Sequence, residues 1–306
     1  MKKVWITGHK GMVGSAVLRR FKKNKKYKLI TIDKKKLDLR NQNQVDNYIK
    51  RNKPDLIINA AGKVGGILHN SLYPANFIYD NLMIAINIIN SAYKHKVSKV
   101  INLGSACIYP KYCKQPIKEK YLLTGKLEET NEAYAIAKIA AIKLCKFYNK
   151  QFNTKFTSLQ PTNLYGINDN FDLKSSHVLP ALIRKFHEAK TNNNNEVTIW
   201  GSGKAKREFM YVDDLADAIF FLKNKNFKNE IINIGSGEEI SIKNLSLLIK
   251  KIIGFKGKVF FDKSKPDGTP RRLVDVNIQR KLGWKANTNL EKGIRLTYRF
   301  FKKNHV

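Results

Sequence analysis

Tyr134 and Lys138 stand four apart in NEAYAIAKIAAIKLCKFYNKQ, so any helix there carries them on one face. A tyrosine and a lysine on an otherwise apolar face ask for a reason. The chemical one is direct. A nearby ammonium stabilises tyrosinate and lowers the tyrosine pKa. The phenol can then pass a proton to or from a carbonyl oxygen near neutral pH. Upstream, the apolar run KVINLGS ends in Ser105, whose hydroxyl would complete the hydrogen bonds of such a site. Cys107 follows two residues later. Side chains at i and i+2 of a strand point to the same face, so Ser105 and Cys107 are expected to look into one cavity. Taken alone, each of these signals also fits a blander role: small core residues for Ser105 and Cys107, a helix-surface pair for Tyr-x-x-x-Lys.

GHKGMVG places Gly8, Gly11 and Gly14 between an apolar run and an amphipathic one. Glycines at a strand-to-helix turn let the backbone approach a pyrophosphate, and the helix N-terminus offers free N–H groups. The expected ligand is a dinucleotide. The second strand ends at Asp33, where an acidic residue usually binds the ribose 2′-hydroxyl and favours NAD. Lys34, Lys35 and Lys36 follow at once, and cations suit a 2′-phosphate. These residues leave both cofactors open.

The elements that must hold these groups alternate. Strands are expected at 2–8, 27–33, 55–61, 99–105 and 155–166. Helices are expected at 11–23, 43–52, within 77–95 and at 131–151. The strands are apolar on both faces, as parallel buried strands are. The pattern predicts a Rossmann-type α/β fold, a doubly wound parallel sheet. After residue 166 the rhythm changes to turn-rich pieces. A helix is expected from near His177, another at 211–224, a strand returning to the sheet at 230–237, and helices at 241–253 and 288–303. The predicted organisation is a dinucleotide-binding domain over 1–166, with 211–237 returning to it. A smaller substrate-binding lobe takes 167–210 and 238–306.

With 306 residues the chain is long for one core. Its opening MKKVWITGHKG has an apolar run too short for a signal peptide, and no run matches a membrane helix. Cys107, Cys113 and Cys145 make an odd set without metal-ligand spacing. No metal and no disulfide framework are expected, and the cytoplasm is the natural compartment. Lys plus Arg is 58 against 24 for Asp plus Glu, a formal net charge of +34. The lysines are scattered rather than gathered in one stripe with aromatics, so the reading is solvated surface that attracts an anionic substrate, with no nucleic acid as partner.

The glycine loop, Ser105 and Tyr-x-x-x-Lys resemble the extended short-chain dehydrogenase/reductases, which modify nucleotide sugars. GHKGMVGSA, AAGKVGGI, YPANFIYDN, LGSACIYPK, NEAYAIAKIA, PTNLYG, SHVLPALIRKFHEA, WGSGKAKREFMYVDD and PDGTPRR are similar to one branch of that family, from about residue 4 to 300. That branch epimerises GDP-4-keto-6-deoxy-D-mannose at C3 and C5 and reduces its C4 ketone with NADPH. The resemblance implies proton exchange by Cys107 and His177. It implies that Ser105, Tyr134 and Lys138 polarise the ketone. It implies NADP(H) contacts from Gly8, Gly11, Met12, Val13, Gly14, Asp33, Lys34, Leu103, Gly104, Ser105, Ala106, Lys138, Pro161, Thr162, Asn163, Leu164 and His177. It implies GDP-sugar contacts from Lys185, Trp200, Arg207 and Asp267, and a homodimer paired through the helices near 80–95 and 134–150. Ala106 stands where relatives often carry a second serine. Lys185 replaces an arginine as a cation but not as a bidentate fork. Two rivals remain open. One is a nucleotide-sugar 4-epimerase or 4,6-dehydratase with bound NAD. The other is a basic nucleic-acid-binding protein on the same scaffold.

Overall fold

The structure is a computed structural model, and it describes residues 1–225, 231–265 and 267–305. In chain order the elements begin β1 (Lys2–Thr7), α1 (Met12–Lys22), β2 (Tyr27–Ile30), α2 (Gln42–Asn52), β3 (Leu56–Asn59), α3 (Ile67–Leu72), α4 (Pro74–Lys94) and β4 (Lys99–Leu103). They continue α5 (Glu132–Phe152), β5 (Phe156–Pro161), β6 (Asn163–Tyr165), α6 (Val178–Thr191), β7 (Glu196–Trp200), β8 (Lys206–Tyr211), α7 (Val212–Leu222) and β9 (Ile231–Ile234). The last are β10 (Glu239–Ser241), α8 (Ile242–Ile253), β11 (Lys258–Asp262), β12 (Arg271–Arg272), α9 (Asn277–Lys281) and α10 (Leu290–Asn304).

Apolar runs too short for helices and flanked by helical periodicity become parallel strands buried on both faces. The main sheet has six of them in the order β2-β1-β3-β4-β5-β9, every neighbour parallel. The expected doubly wound sheet is therefore present. Residues 226–230, inside the stretch expected to return to it, lie outside the described residues. Strand order reverses between β1 and β3. That is where open α/β sheets leave a crevice beyond the carboxyl ends of the strands. A buried polar chain aligns those ends. Thr7 donates to Asn59 at 2.9 Å, Asn59 to Asn102 at 3.0 Å, and Asn102 to Ser158 at 3.4 Å. Four adjacent strands are thus tied in register just below the site.

β6 leaves this sheet and pairs with β8, which also pairs with β10 and β12. β7 and β11 form a separate parallel pair. One core lies between the main sheet, α1 and α7, around Val4, Phe21, Leu215 and Ile219, and Trp284 packs into it. A second core gathers Leu182, Phe186, Ile249 and Phe301 from α6, α8 and α10.

Several expected strands are too long: the first ends at Thr7, the third at Asn59, the returning one at Ile234, and the fifth breaks into β5 and β6. The fourth ends at Leu103 rather than Ser105, because Ser105 caps a one-turn helix over Ala106–Ile108. Ser105 and Cys107 are therefore not strand neighbours on one face. The second ends at Ile30 rather than Asp33. The Asp33 carbonyl accepts from the N–H groups of Lys36 and Leu37 at 2.9 and 3.1 Å, which closes a turn there.

Candidate active site

The turn after β4 is held by the neighbouring strand. Gly104 N–H donates to the Leu159 carbonyl at 2.8 Å, and Ser105 N–H to Oε1 of Gln160 at 2.9 Å. A Cβ on Gly104 would overlap that Gln160 amide, so a side chain there would displace the brace on Ser105. Ser105 Oγ accepts from the Cys107 N–H at 3.2 Å, which folds the chain back and brings the thiol beside the hydroxyl. Ser105 also hydrogen-bonds the Tyr134 side chain, and Cys107 faces the same phenol. Lys138, one turn along α5, is buried and donates to the Leu103 carbonyl at 2.9 Å. Ser105, Cys107, Tyr134 and Lys138 thus come together as expected, by a turn instead of by strand alternation.

The electrostatics differ from the expectation. Burial raises the Tyr134 pKa, the facing Cys107 adds to the rise, and the Ser105 hydrogen bond opposes it. Burial also pushes Lys138 down to about 8. The phenol of this chain is therefore held in its protonated form, because desolvating tyrosinate outweighs an ammonium that is itself shared with a carbonyl.

His177 is the N-cap residue of α6 and is exposed. Protein packed around it lowers its pKa, so the imidazole is neutral near pH 7. Ser175, two residues before, accepts from Gly66 N–H at 2.9 Å, which draws this segment against the loop after β3. Lys185 donates to the Thr198 carbonyl at 3.1 Å and lies 5.9 Å from the centre of the exposed Trp200 ring. Arg207 is pushed down to about 10, chiefly by burial and then by Arg272. Asp267 accepts from Ser202 N–H and Oγ, both at 2.7 Å, so both its oxygens are engaged by the chain itself.

The glycine loop fits a dinucleotide phosphate. Gly8 has φ +63°, where a side chain is strained, and a Cβ on Gly14 would overlap the Gly8 carbonyl. Gly11 caps α1 without a side-chain hydrogen bond and no acidic residue lies in the first turn, so no side chain competes with an anion for the first N–H groups of the helix, those of Met12 and Val13. Pro161 to Leu164 leave the carboxyl end of β5, two strands from β3 and three from β1 along the same sheet edge, with Asn163 donating to the Glu208 carbonyl at 2.8 Å. Asp33 is engaged by Lys10 at 2.6 Å, which holds its carboxyl below the ordinary value, and Lys34 beyond it is exposed.

A crevice with a glycine phosphate loop and a Ser-Tyr-Lys set is the signature of one superfamily. Residues 4–235 match the NAD dependent epimerase/dehydratase family. The chain belongs to this family. Within it, the chain is 51% identical over 303 residues to a GDP-L-fucose synthase of Sinorhizobium fredii, covering 99% of this chain and 96% of that one. Among solved structures it resembles a GDP-6-OMe-4-keto-L-xylo-heptose reductase from C. jejuni, with TM-score 0.93, 37% identity and coverage of 99% and 98%. It also resembles a GDP-L-fucose synthetase from Naegleria fowleri bound to NADP, with TM-score 0.92, 32% identity and coverage of 99% and 93%.

Three residues of this epimerase/dehydratase site escaped the sequence reading. Asn81 of α4 is buried and clasps Lys63 from both sides, accepting from its N–H at 3.1 Å and donating to its carbonyl at 3.0 Å. This presses the loop after β3 toward Lys138. Gln160 braces Ser105, and Arg272 reaches Cys107. Asn81 sits in YPANFIYDN and Arg272 in PDGTPRR, so the motifs were visible while the contacts were not.

Proposed function

We propose that this chain epimerises GDP-4-keto-6-deoxy-D-mannose at C3 and C5 and reduces its C4 ketone with NADPH, giving GDP-L-fucose. The observation that carries this reading is the Cys107 thiol packed into the same pocket as Ser105, Tyr134 and Lys138. A simple ketone reductase has no use for a thiol there. The full-length similarity to a GDP-L-fucose synthase supports the same substrate.

The C4 ketone acidifies the C–H bonds beside it. Cys107 and the neutral His177 are suited to remove a proton at those carbons and return one from the opposite face. Ser105 and the protonated Tyr134 donate to the C4 oxygen, which steadies the enolate during epimerisation. When bound, NADPH supplies the hydride that reduces C4. Tyr134 then gives its proton to the alkoxide, and the Lys138 cation stabilises the phenolate left behind. Gly8, Gly11, Met12, Val13 and Gly14 hold the dinucleotide, flanked by Asp33 and Lys34, 103–106 and 161–164. Lys185, Trp200, Arg207 and Asp267 hold the GDP-sugar. In this reading 1–166 with 211–237 bind cofactor, and 167–210 with 238–306 bind substrate.

Among the described residues no helix is long and apolar enough to cross a membrane. We place the enzyme in the cytoplasm as a homodimer paired through α4 and α5, where Tyr79, Ile86, Ile136 and Phe147 are exposed. The test is NADPH oxidation on adding GDP-4-keto-6-deoxy-D-mannose, with the sugar product identified by NMR. A second reading, favoured by the C. jejuni likeness, is a reductase of a GDP-4-keto sugar that does not epimerise. Running the reaction in heavy water separates them. Deuterium at C3 and C5 belongs to the first reading, and its absence to the second.

A further inference from the structure

Cys107 is braced from the far end of the chain. Arg272, 165 residues later, donates from Nη1 to Cys107 Sγ at 3.3 Å. Its Nη2 donates to Thr269 Oγ1, also at 3.3 Å. Thr269 in turn donates to Glu128 Oε2 at 3.3 Å, and Glu128 pairs with Lys111 at 3.1 Å. Arg272 is only 9% exposed, so its guanidinium is taken out of water. A cation buried that far is stable only with an anion or full hydrogen bonding opposite it.

The neighbours sharpen this need. Arg207 is the register partner of Arg272 across β8 and β12, which places two guanidiniums side by side. Asp267 is tied to Ser202 through both oxygens, and Glu128 is shared between Lys111 and Thr269. Arg207 also faces the Asp267 and Glu128 carboxylates and Arg272 also acts on Cys113, but the sulfur that Arg272 reaches by a hydrogen bond is that of Cys107, with Tyr134 on its other side. A thiolate at Cys107 would lie directly against the Arg272 cation.

We infer that Arg272 is a positioning residue for Cys107: it fixes the sulfur in the pocket and stabilises the thiolate formed when the thiol gives its proton to the substrate carbon. The proton lost from that carbon goes to His177 on the opposite face, and in the reverse sense the thiolate takes a C–H proton while the imidazolium returns one, so each proton gained has a source. This rests on the reading in which Cys107 exchanges protons with the sugar. The recognising chemistry is a two-pronged one. One prong of the guanidinium holds the sulfur and the other is locked by Thr269, which a lysine cannot reproduce.

The test labels the full-length protein with iodoacetamide in the absence of substrate and cofactor. Trypsin cuts after Lys99, Lys111, Lys114, Lys143 and Lys146, so each cysteine is read on its own peptide. Arg272→Met is expected to slow alkylation of Cys107 at pH 7 about tenfold or more and to move its rate profile to higher pH, the size expected for losing an adjacent opposite charge. Arg272→Lys is expected to recover part of the rate. A folded Arg272→Met protein whose Cys107 profile matches wild type overturns the inference. If Arg272→Met does not melt cooperatively, Arg272→Lys decides alone: an unchanged profile overturns the inference, and a smaller upward shift supports it. Labelling needs no turnover. A wild-type chain that labels as expected yet leaves NADPH unoxidised would sink the proposed reaction and leave the Arg272–Cys107 pair standing.

Discussion

The Lys138 ammonium is 2.9 Å from the Leu103 carbonyl oxygen and 5.6 Å from the centre of the Tyr134 ring. The cation is anchored to the end of β4 and stands over the phenol ring. It is therefore fixed in place before any phenolate exists, and its effect on Tyr134 is felt only once the proton leaves. Until then burial controls both groups.

That burial has a measurable cost. Lys138 titrates at about 8 in the folded chain against an ordinary 10.5. Between these values the unfolded state binds more protons than the folded one, so this group makes stability rise with pH. Below about pH 8 the full penalty is present. Lys138→Met should gain on wild type by a few kcal/mol near pH 7, less the lost bond to Leu103, and the gap should shrink steadily from pH 8 to 10.5. Denaturant unfolding of both proteins across that range checks it. A gap independent of pH would mean Lys138 is not desolvated as described.

Tyr134→Phe and Cys107→Ser should divide the two chemistries. Tyr134→Phe removes the proton donor at C4 and should lower reduction by about 10²–10⁴-fold. It should slow deuterium uptake at C3 and C5 as well, since the same hydroxyl steadies the enolate. Cys107→Ser should instead abolish most of that uptake, measured in heavy water without NADPH. Uptake at the wild-type rate in Cys107→Ser would reduce Cys107 to a small packed residue.

The Lys10–Asp33 pair should govern how Asp33 meets the cofactor. With its carboxylate paired to Lys10, Asp33 repels a 2′-phosphate weakly, and NADPH should be preferred over NADH. Lys10→Ala frees that charge and should lower the NADPH-to-NADH ratio of kcat/KM several-fold, a size suited to one exposed charge pair. Adding Asp33→Ala should restore the ratio. An unaltered ratio in Lys10→Ala would show that the pair does not touch the choice.

Phe147 and Ile86 are 55% and 43% exposed on α5 and α4, too apolar for helices that end their packing at the sheet. Light scattering should find a dimer at micromolar concentration. Phe147→Glu should shift it toward monomer without lowering the melting of the monomer itself. A wild-type monomer under the same conditions would remove the proposed pairing.

Much of this protein was legible in its sequence alone. The alternation of strands and helices, the glycine turn after β1 and the shared face of Tyr134 and Lys138 all depend on spacing within a few residues. Backbone periodicity writes that spacing into the chain. His177 at the head of α6 belongs to the same class, since a helix start is a local event. Tertiary structure decided the rest. Ser105 left the strand because Gln160, from the next strand, captured its N–H. Tyr134 stayed protonated because burial, which no four-residue spacing reveals, outweighed its lysine. Asp33 met Lys10 because two loops from different strand ends converge at the crevice. Arg272 found Cys107 across 165 residues because β12 pairs with β8 above the main sheet. Desolvation and long-range pairing exist only after the chain has closed on itself, and they govern how Tyr134, Lys138 and His177 hold their protons.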